Sequence, residues 1–191
     1  VPEKGMIVAI ENQTSEDDAK TRTRLRILSY LNLERLTDVE GATWLDKELL
    51  TAKPEHISNA GFGSDVRSTL ARRRQWLVAN ALGKFSEEKQ FEPSRNLLNQ
   101  LRERDIRRTS AMMSAQLGLT HVNVAEGENI TGTFVRSAHL ASGKFAIVQN
   151  AKEFTLVPWQ PQMERFRGRE ISGAVETQGI KWDWNHSRQR G

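Results

Sequence analysis

The chain has 191 residues, 37% of them hydrophobic and 27% charged, with a formal net charge of +4. That length can bury one large core or two small ones, and the absence of cysteine excludes a disulfide framework and a thiolate zinc site. No apolar run approaches the roughly 18 residues of a membrane-spanning helix, and no signal-peptide pattern opens the sequence, so a soluble, cytoplasmic protein without membrane contact is expected.

In chain order, Met6 to Ile10 reads as a strand with no evident partner, so residues 1–13 are expected to be the residue of a preceding domain and the chain the C-terminal part of something longer. Thr14-Ser15-Glu16-Asp17-Asp18 has the hydroxyl and acidic residues of a helix start, and Leu25, Leu28 and Leu31 continue at helical spacing to about Leu33. A second helix is predicted from Thr43 to Leu50, before Pro54. The Gly61-Phe62-Gly63-Ser64 turn precedes a third, arginine-rich helix that runs from Asp65 to Leu82 and ends at Gly83 as its C′ residue. Lys84-Phe85 and Gln90-Phe91 then form a short hairpin around Ser86-Glu87-Glu88-Lys89. Pro93-Ser94 starts another helix, whose Leu97, Leu98, Leu101, Met112 and Met113 share a face as far as Gly118.

From His121 onward the period shortens. Ile130–Val135, Lys144–Gln149, Glu153–Pro158, Glu170–Val175 and Ile180–Trp184 read as strands, with a helical turn at Gln162–Phe166. The expected fold is therefore α+β: a helical, winged-helix-like domain over residues 14–119, followed by a small five-stranded β-barrel or curved antiparallel sheet over 120–191.

The arginine helix carries the functional expectation. At 100° per residue, Val66, Leu70, Leu77 and Ala81 form a buried seam, opposite Ser68, Ala71, Arg72, Gln75 and Ala79. Arg72 then points outward, while Arg73 and Arg74 fan to the seam edges, where long stems can lift guanidinium groups toward phosphates. Arg67, Arg72, Arg73, Arg74 and Lys84 are the expected phosphate contacts, with Lys89 on the wing and Gln75 as the base-edge reader. Between Arg67 and Arg108 there are eleven Lys or Arg against five Asp or Glu. Competing with this is the plain reading of a triple arginine as a solvated face, and Glu87-Glu88 weaken the hairpin tip as a DNA contact. Trp182 and Trp184 share one face of a strand and are expected in the core, whereas Trp159, next to Pro158 and Pro161, is the better exposed ring for stacking on bases.

Chemistry has no constellation. Tyr30 is the single tyrosine and sits among leucines as a packing residue, and His56, His121, His139 and His186 lack metal-ligand spacing. No catalytic residue, metal site or cofactor is expected.

The run LASGKFAIVQNAKEFTLVPWQPQMERFRGREISG, Leu140 to Gly173, resembles the C-terminal region of relaxases, the mobilisation nucleases of conjugative elements, in the branch grouped with the T-DNA border endonuclease of agrobacteria. There a domain of unknown function carries the pattern DLASG(R/K)(F/Y)A, EFTLVPWRPVLE, LGR and VSG; His139 replaces the first Asp, and Gln160 a basic residue. The likeness extends through GATWLDKELL (41–50), NAGFG (59–63), ARRRQWLVANAL (71–82), RNLLNQLRERD (95–105) and SAQLGL (114–119), so that it covers about Arg24 to Arg190. Such relaxases cut DNA with a tyrosine and a histidine-held metal in an N-terminal domain that this chain lacks. The resemblance implies a non-catalytic DNA-binding part of a relaxase, holding duplex or single-stranded DNA near the transfer origin in plasmid mobilization. The alternative is an interaction module docking the relaxase on the type IV secretion coupling protein, with Ser187 to Gly191 similar to arginine-bearing transfer signals.

Overall fold

The computed structural model describes residues 7–14, 21–51 and 57–184. The chain divides into two compact units, residues 1–104 and 105–191. The division falls inside a long helix, between Arg104 and Asp105, and not near Gly118 where the change of period placed it.

The first unit opens with a correction. Strand β1, Ile7–Thr14, has a partner within the chain: β2, Thr21–Ser29, pairs with it antiparallel from Ile7 opposite Ser29 to Thr14 opposite Thr21. The helix expected from Leu25, Leu28 and Leu31 is therefore a strand over most of its length, and β1 is not without a partner. The physical reason is visible in the residues: Arg22, Arg24 and Arg26 alternate with Thr21, Thr23, Leu25 and Ile27, a period of two rich in β-branched residues. The proposed helix start at residues 15–18 lies outside the described residues, as do Pro54, His56, His186 and the 187–191 tail.

After a 3-10 turn at Glu34–Leu36 comes α1, Trp44–Leu50. Its start is a capping box, with the Thr43 hydroxyl accepting from the Asp46 N–H and Asp46 accepting from the Thr43 N–H. Helix α2 spans Phe62–Ala79. It ends in a Schellman motif: Ala81, at φ 58°, donates to the Val78 carbonyl, and Leu82 donates to that of Leu77. Ala81 is thus the left-handed residue beyond the helix and no part of the buried seam. Gly83 serves a different need: a Cβ there would stand 2.6 Å from the Phe91 ring, so its absence lets the hairpin close. That hairpin pairs β3, Gly83–Phe85, with β4, Phe91–Pro93. Helix α3, Leu97–Leu117, follows. Ile7, Leu36, Leu45, Val66 and Leu70 form one core cluster of this unit, and Ala42, Leu77, Leu82, Leu97 and Leu101 another. Two helices and a hairpin thus occur in the expected order, within an α+β fold.

The second unit is an open sheet. Strands β5 (Thr120–His121), β6 (Asn129–Leu140), β7 (Gly143–Gln149), β8 (Glu153–Pro158), β9 (Glu170–Glu176) and β10 (Gly179–Asp183) lie in the order β10-β9-β6-β7-β8-β5. All neighbours are antiparallel except β5 and β8, which run parallel. The expectation of a five-stranded barrel or curved antiparallel sheet is corrected on three counts: the described residues of this unit form six strands, the sheet ends at β10 and β5 without closing, and the β5–β8 pair makes it mixed. The sheet is apolar on both faces. Along β7, Phe145 and Ile147 pack with Met113, Leu140, Phe154 and Leu156, while Ala146 and Val148 pack with Ile130, Phe134, Val157, Met163, Ile171 and Trp182. Such a continuous buried run is what two-sided burial demands of a strand. Met113 is buried, but Met112, expected on the same face, is 53% exposed.

Candidate nucleic-acid interface

Helix α2 sorts its residues by angle. Val66, Thr69, Leu70, Arg73 and Leu77 are buried, whereas Ser64, Ser68, Ala71, Arg72, Gln75 and Ala79 are exposed. The outward face is therefore the one expected, with Asp65 also exposed beside Arg72; the departure is Arg73, expected to reach out from the seam's edge and buried instead.

Arg73 is buried completely. All five guanidinium donors are satisfied: Nε donates to Asp46 Oδ1 at 2.8 Å, Nη2 to Asp46 Oδ2 at 3.0 Å and to the Gly41 carbonyl at 2.9 Å, and Nη1 to the carbonyls of Val39 at 2.8 Å and Thr37 at 3.3 Å. Its cationic carbon lies 4.5 Å from the centre of the Trp76 ring. Asp46 in turn accepts from the Thr43 N–H and hydroxyl, so the carboxylate is also enclosed by donors. A planar fork matched to a carboxylate fork is the geometry in which burying two charges is tolerated. The assignment of Arg73 as a phosphate contact is corrected on this ground: it ties α2 to α1 and to the 37–41 segment and presents nothing to solvent.

The other cations differ in availability. Arg72 is exposed and forms no hydrogen bond or ion pair with a described residue. Arg67 is exposed, with Nε and Nη2 donating to the Ile57 carbonyl at 2.9 and 2.5 Å. Arg74 is half-buried, with an enclosed Nε that has no partner among the described residues. Gln75 lies at the centre of the outward face. Lys84 on β3 is 77% exposed and reaches Glu92 of β4 at 3.1 Å, a surface pair that costs little to open. Lys89 is exposed at the hairpin tip, in the left-handed region at φ 59°.

Trp159 is not the open ring expected of it. It is half-buried, the Lys144 ammonium stands 3.3 Å from its ring centre, and its Nε1 donates to Glu164 Oε1 at 3.0 Å. The Arg167 guanidinium donates to Glu164 at 2.7 Å, and this bond above all holds that carboxyl below its ordinary range, with Trp159 and Lys144 acting in the same direction. One face of the indole is therefore occupied by a cation. Trp182 is buried in the core, and Trp184 stacks on Phe166 at 5.0 Å.

Asp46 and Phe62 were missed in the sequence. Asp46 was announced only as the last residue of Thr43-x-x-Asp46, a capping pattern. Phe62 sat within an apparent turn, yet it is the first residue of α2 and 58% exposed.

The protein is thus an α+β chain of two units, the first presenting a helix whose exposed side carries Asp65, Arg72 and Gln75. Residues 9–191 match the family described as Protein of unknown function (DUF3363), and the chain belongs to that family. No curated protein and no solved structure is significantly similar to it. Among the described residues, no helix is long and apolar enough to cross a membrane.

Proposed function

We propose that the chain is a non-catalytic DNA-binding part of a conjugative relaxase, holding DNA near the transfer origin through the outward face of α2. The observation that carries this reading is the composition of that face: Arg72 and Gln75 are exposed among Ser64, Ser68, Ala71 and Ala79, with Asp65, toward the start of the helix, its one exposed carboxylate. Small neighbours let a phosphate backbone approach, a guanidinium with no partner among the described residues supplies the charge, and an amide offers the paired donor and acceptor that read adenine. Arg67, Arg74 and Lys84 flank the face as further phosphate contacts. The resemblance to relaxase C-terminal regions supplies the biological setting, and a winged-helix arrangement of α2 and the hairpin fits the same role.

Four phosphate contacts give a slope of log affinity against log salt of about −3 to −4. Fluorescence anisotropy with duplex and single-stranded DNA, between about 50 and 200 mM salt, measures it. Binding that is absent, or indifferent to salt, would remove this reading and leave docking on the secretion coupling protein as the alternative.

A further inference from the structure

Beside the outward face, α2 lines a cleft of about 580 Å³ with the 3-10 turn that precedes α1. Its walls carry Phe62, Asp65, Ser68 and Arg72 from α2, Glu34 from the turn and Asn32 from just before it. Phe62 is the most exposed large hydrophobic side chain among the described residues, and a helix start has no need of an aromatic ring in water. Phe62, Asp65, Thr69 and Arg72 follow one another at helical spacings of three or four residues, so they form a single stripe. Along that stripe the chemistry changes from an aromatic face, through a carboxylate, to a cation.

We propose that this cleft takes one guanine nucleotide of a single strand, with the base on Phe62, its Watson–Crick edge on Asp65 or Glu34, and its phosphate on Arg72. Each part rests on a distinct property. A base stacks on an exposed ring because every base has a π-face. Among the four bases only guanine presents two adjacent donors, N1–H and N2–H, and a carboxylate has two acceptor oxygens to receive them. Asp65 and Arg72 are seven residues apart, about 10 Å along the axis, which suits the separation of base edge and phosphate. Arg72 disfavours a purely cationic ligand, and the two carboxylates disfavour a bare phosphate. The size is within the roughly 300–1,000 Å³ of small-ligand sites. The inference rests on the DNA-binding reading and deepens it by naming a base and a strand state.

Two measurements separate its fate from that of the broader reading. Anisotropy of oligothymidylates of about twelve nucleotides, a length within the site sizes of single-strand binders, is compared with the same strands bearing one central guanine or hypoxanthine. Guanine raises affinity at least about fivefold, hypoxanthine loses most of that gain for want of the 2-amino group, and Phe62→Ala or Asp65→Asn, Glu34→Gln removes the preference while salt-dependent binding of oligothymidylate persists. In parallel, saturation-transfer NMR with guanosine monophosphate gives base-proton signals that are absent for cytidine monophosphate and lost in Phe62→Ala. Equal affinities for all strands, with no guanosine signal, overturn the cleft assignment even if DNA binds. A guanosine signal without binding of any strand overturns both the DNA-binding reading and the assignment of the cleft to a strand. Binding of a lysine peptide in place of nucleotides overturns the assignment.

Discussion

The guanidinium of Arg73 and the carboxylate of Asp46 meet through two hydrogen bonds, 2.8 and 3.0 Å long, with both side chains wholly shielded from solvent. Twenty-seven residues apart in sequence, they join α2 to α1, and three backbone carbonyls complete the shell. This is the contact that fixes which face of α2 is left for a ligand.

Removing either partner leaves a buried charge alone. Asp46→Ala and Arg73→Ala should each destabilise the first unit by about 3–5 kcal/mol. Arg73→Lys should also fail, because an ammonium cannot reproduce the fork, whereas Arg72→Ala, an exposed change, should stay within about 0.5 kcal/mol. Urea unfolding of the four variants checks the contrast; equal stabilities for Arg72→Ala and Arg73→Ala would contradict it.

Part of this was legible in the sequence. The seam from Val66 to Leu77 follows from spacing, and by the same arithmetic Arg73 lies about 20° beyond Val66, at the seam's edge; the burial of Thr69, about a further 40° round, is what encloses it. What spacing cannot supply is the partner: Asp46 becomes the counter-charge only when the chain folds back on itself. Likewise Phe145 to Val148 announced a buried strand by its run of apolar residues. The two-residue β5 is held by tertiary hydrogen bonds of Thr120 and Val122 to the β8 region, and no local pattern marks so short an element. The leucines of β2 satisfied helical spacing by chance, and pairing with β1 decided the matter.

The end of α2 gives a second test. Ala81 occupies a left-handed conformation that costs an alanine roughly 1–2 kcal/mol, so Ala81→Gly should stabilise by up to about 1 kcal/mol after the entropy of the unfolded glycine is counted. Gly83→Ala should destabilise, since its methyl group would meet the Phe91 ring and the Glu92 carbonyl. Thermal melts of both variants should move in opposite directions.

The second unit should respond to pH through two groups, the half-buried His121 and the buried Asp105. Burial lowers the His121 imidazole below its ordinary 6.5, its Nε2 being enclosed without a partner among the described residues and its ring resting 5.2 Å from Phe154. A group lowered in the folded state binds protons more readily when unfolded, so stability is lost as pH falls through 6.5 toward the lowered value. Burial raises the Asp105 carboxyl above 3.8, an effect its hydrogen bonds from Ser142 oppose without cancelling. Here the sign reverses, and stability is regained as pH falls through the raised value toward 3.8. His121→Phe should flatten the first limb and Asp105→Asn the second, as read by denaturant midpoints across pH. An unchanged profile in either variant would refute that assignment.

Because Lys144 covers its ring and Glu164 holds its nitrogen, Trp159 should contribute to packing and not to DNA. Trp159→Ala should lower the melting temperature of the second unit while leaving DNA affinity within about twofold, less than the loss of even the weakest base-stacking contact. A fall in affinity with unchanged stability would restore it as a stacking residue.

The outward face of α2 as a DNA contact is tested most directly by the salt dependence of DNA affinity in wild type and Arg72→Ala. A phosphate contact at Arg72 predicts that the variant's slope of log affinity against log salt is shallower by about 1, with weaker binding to every sequence. Identical slopes and affinities, at the same stability, would contradict it.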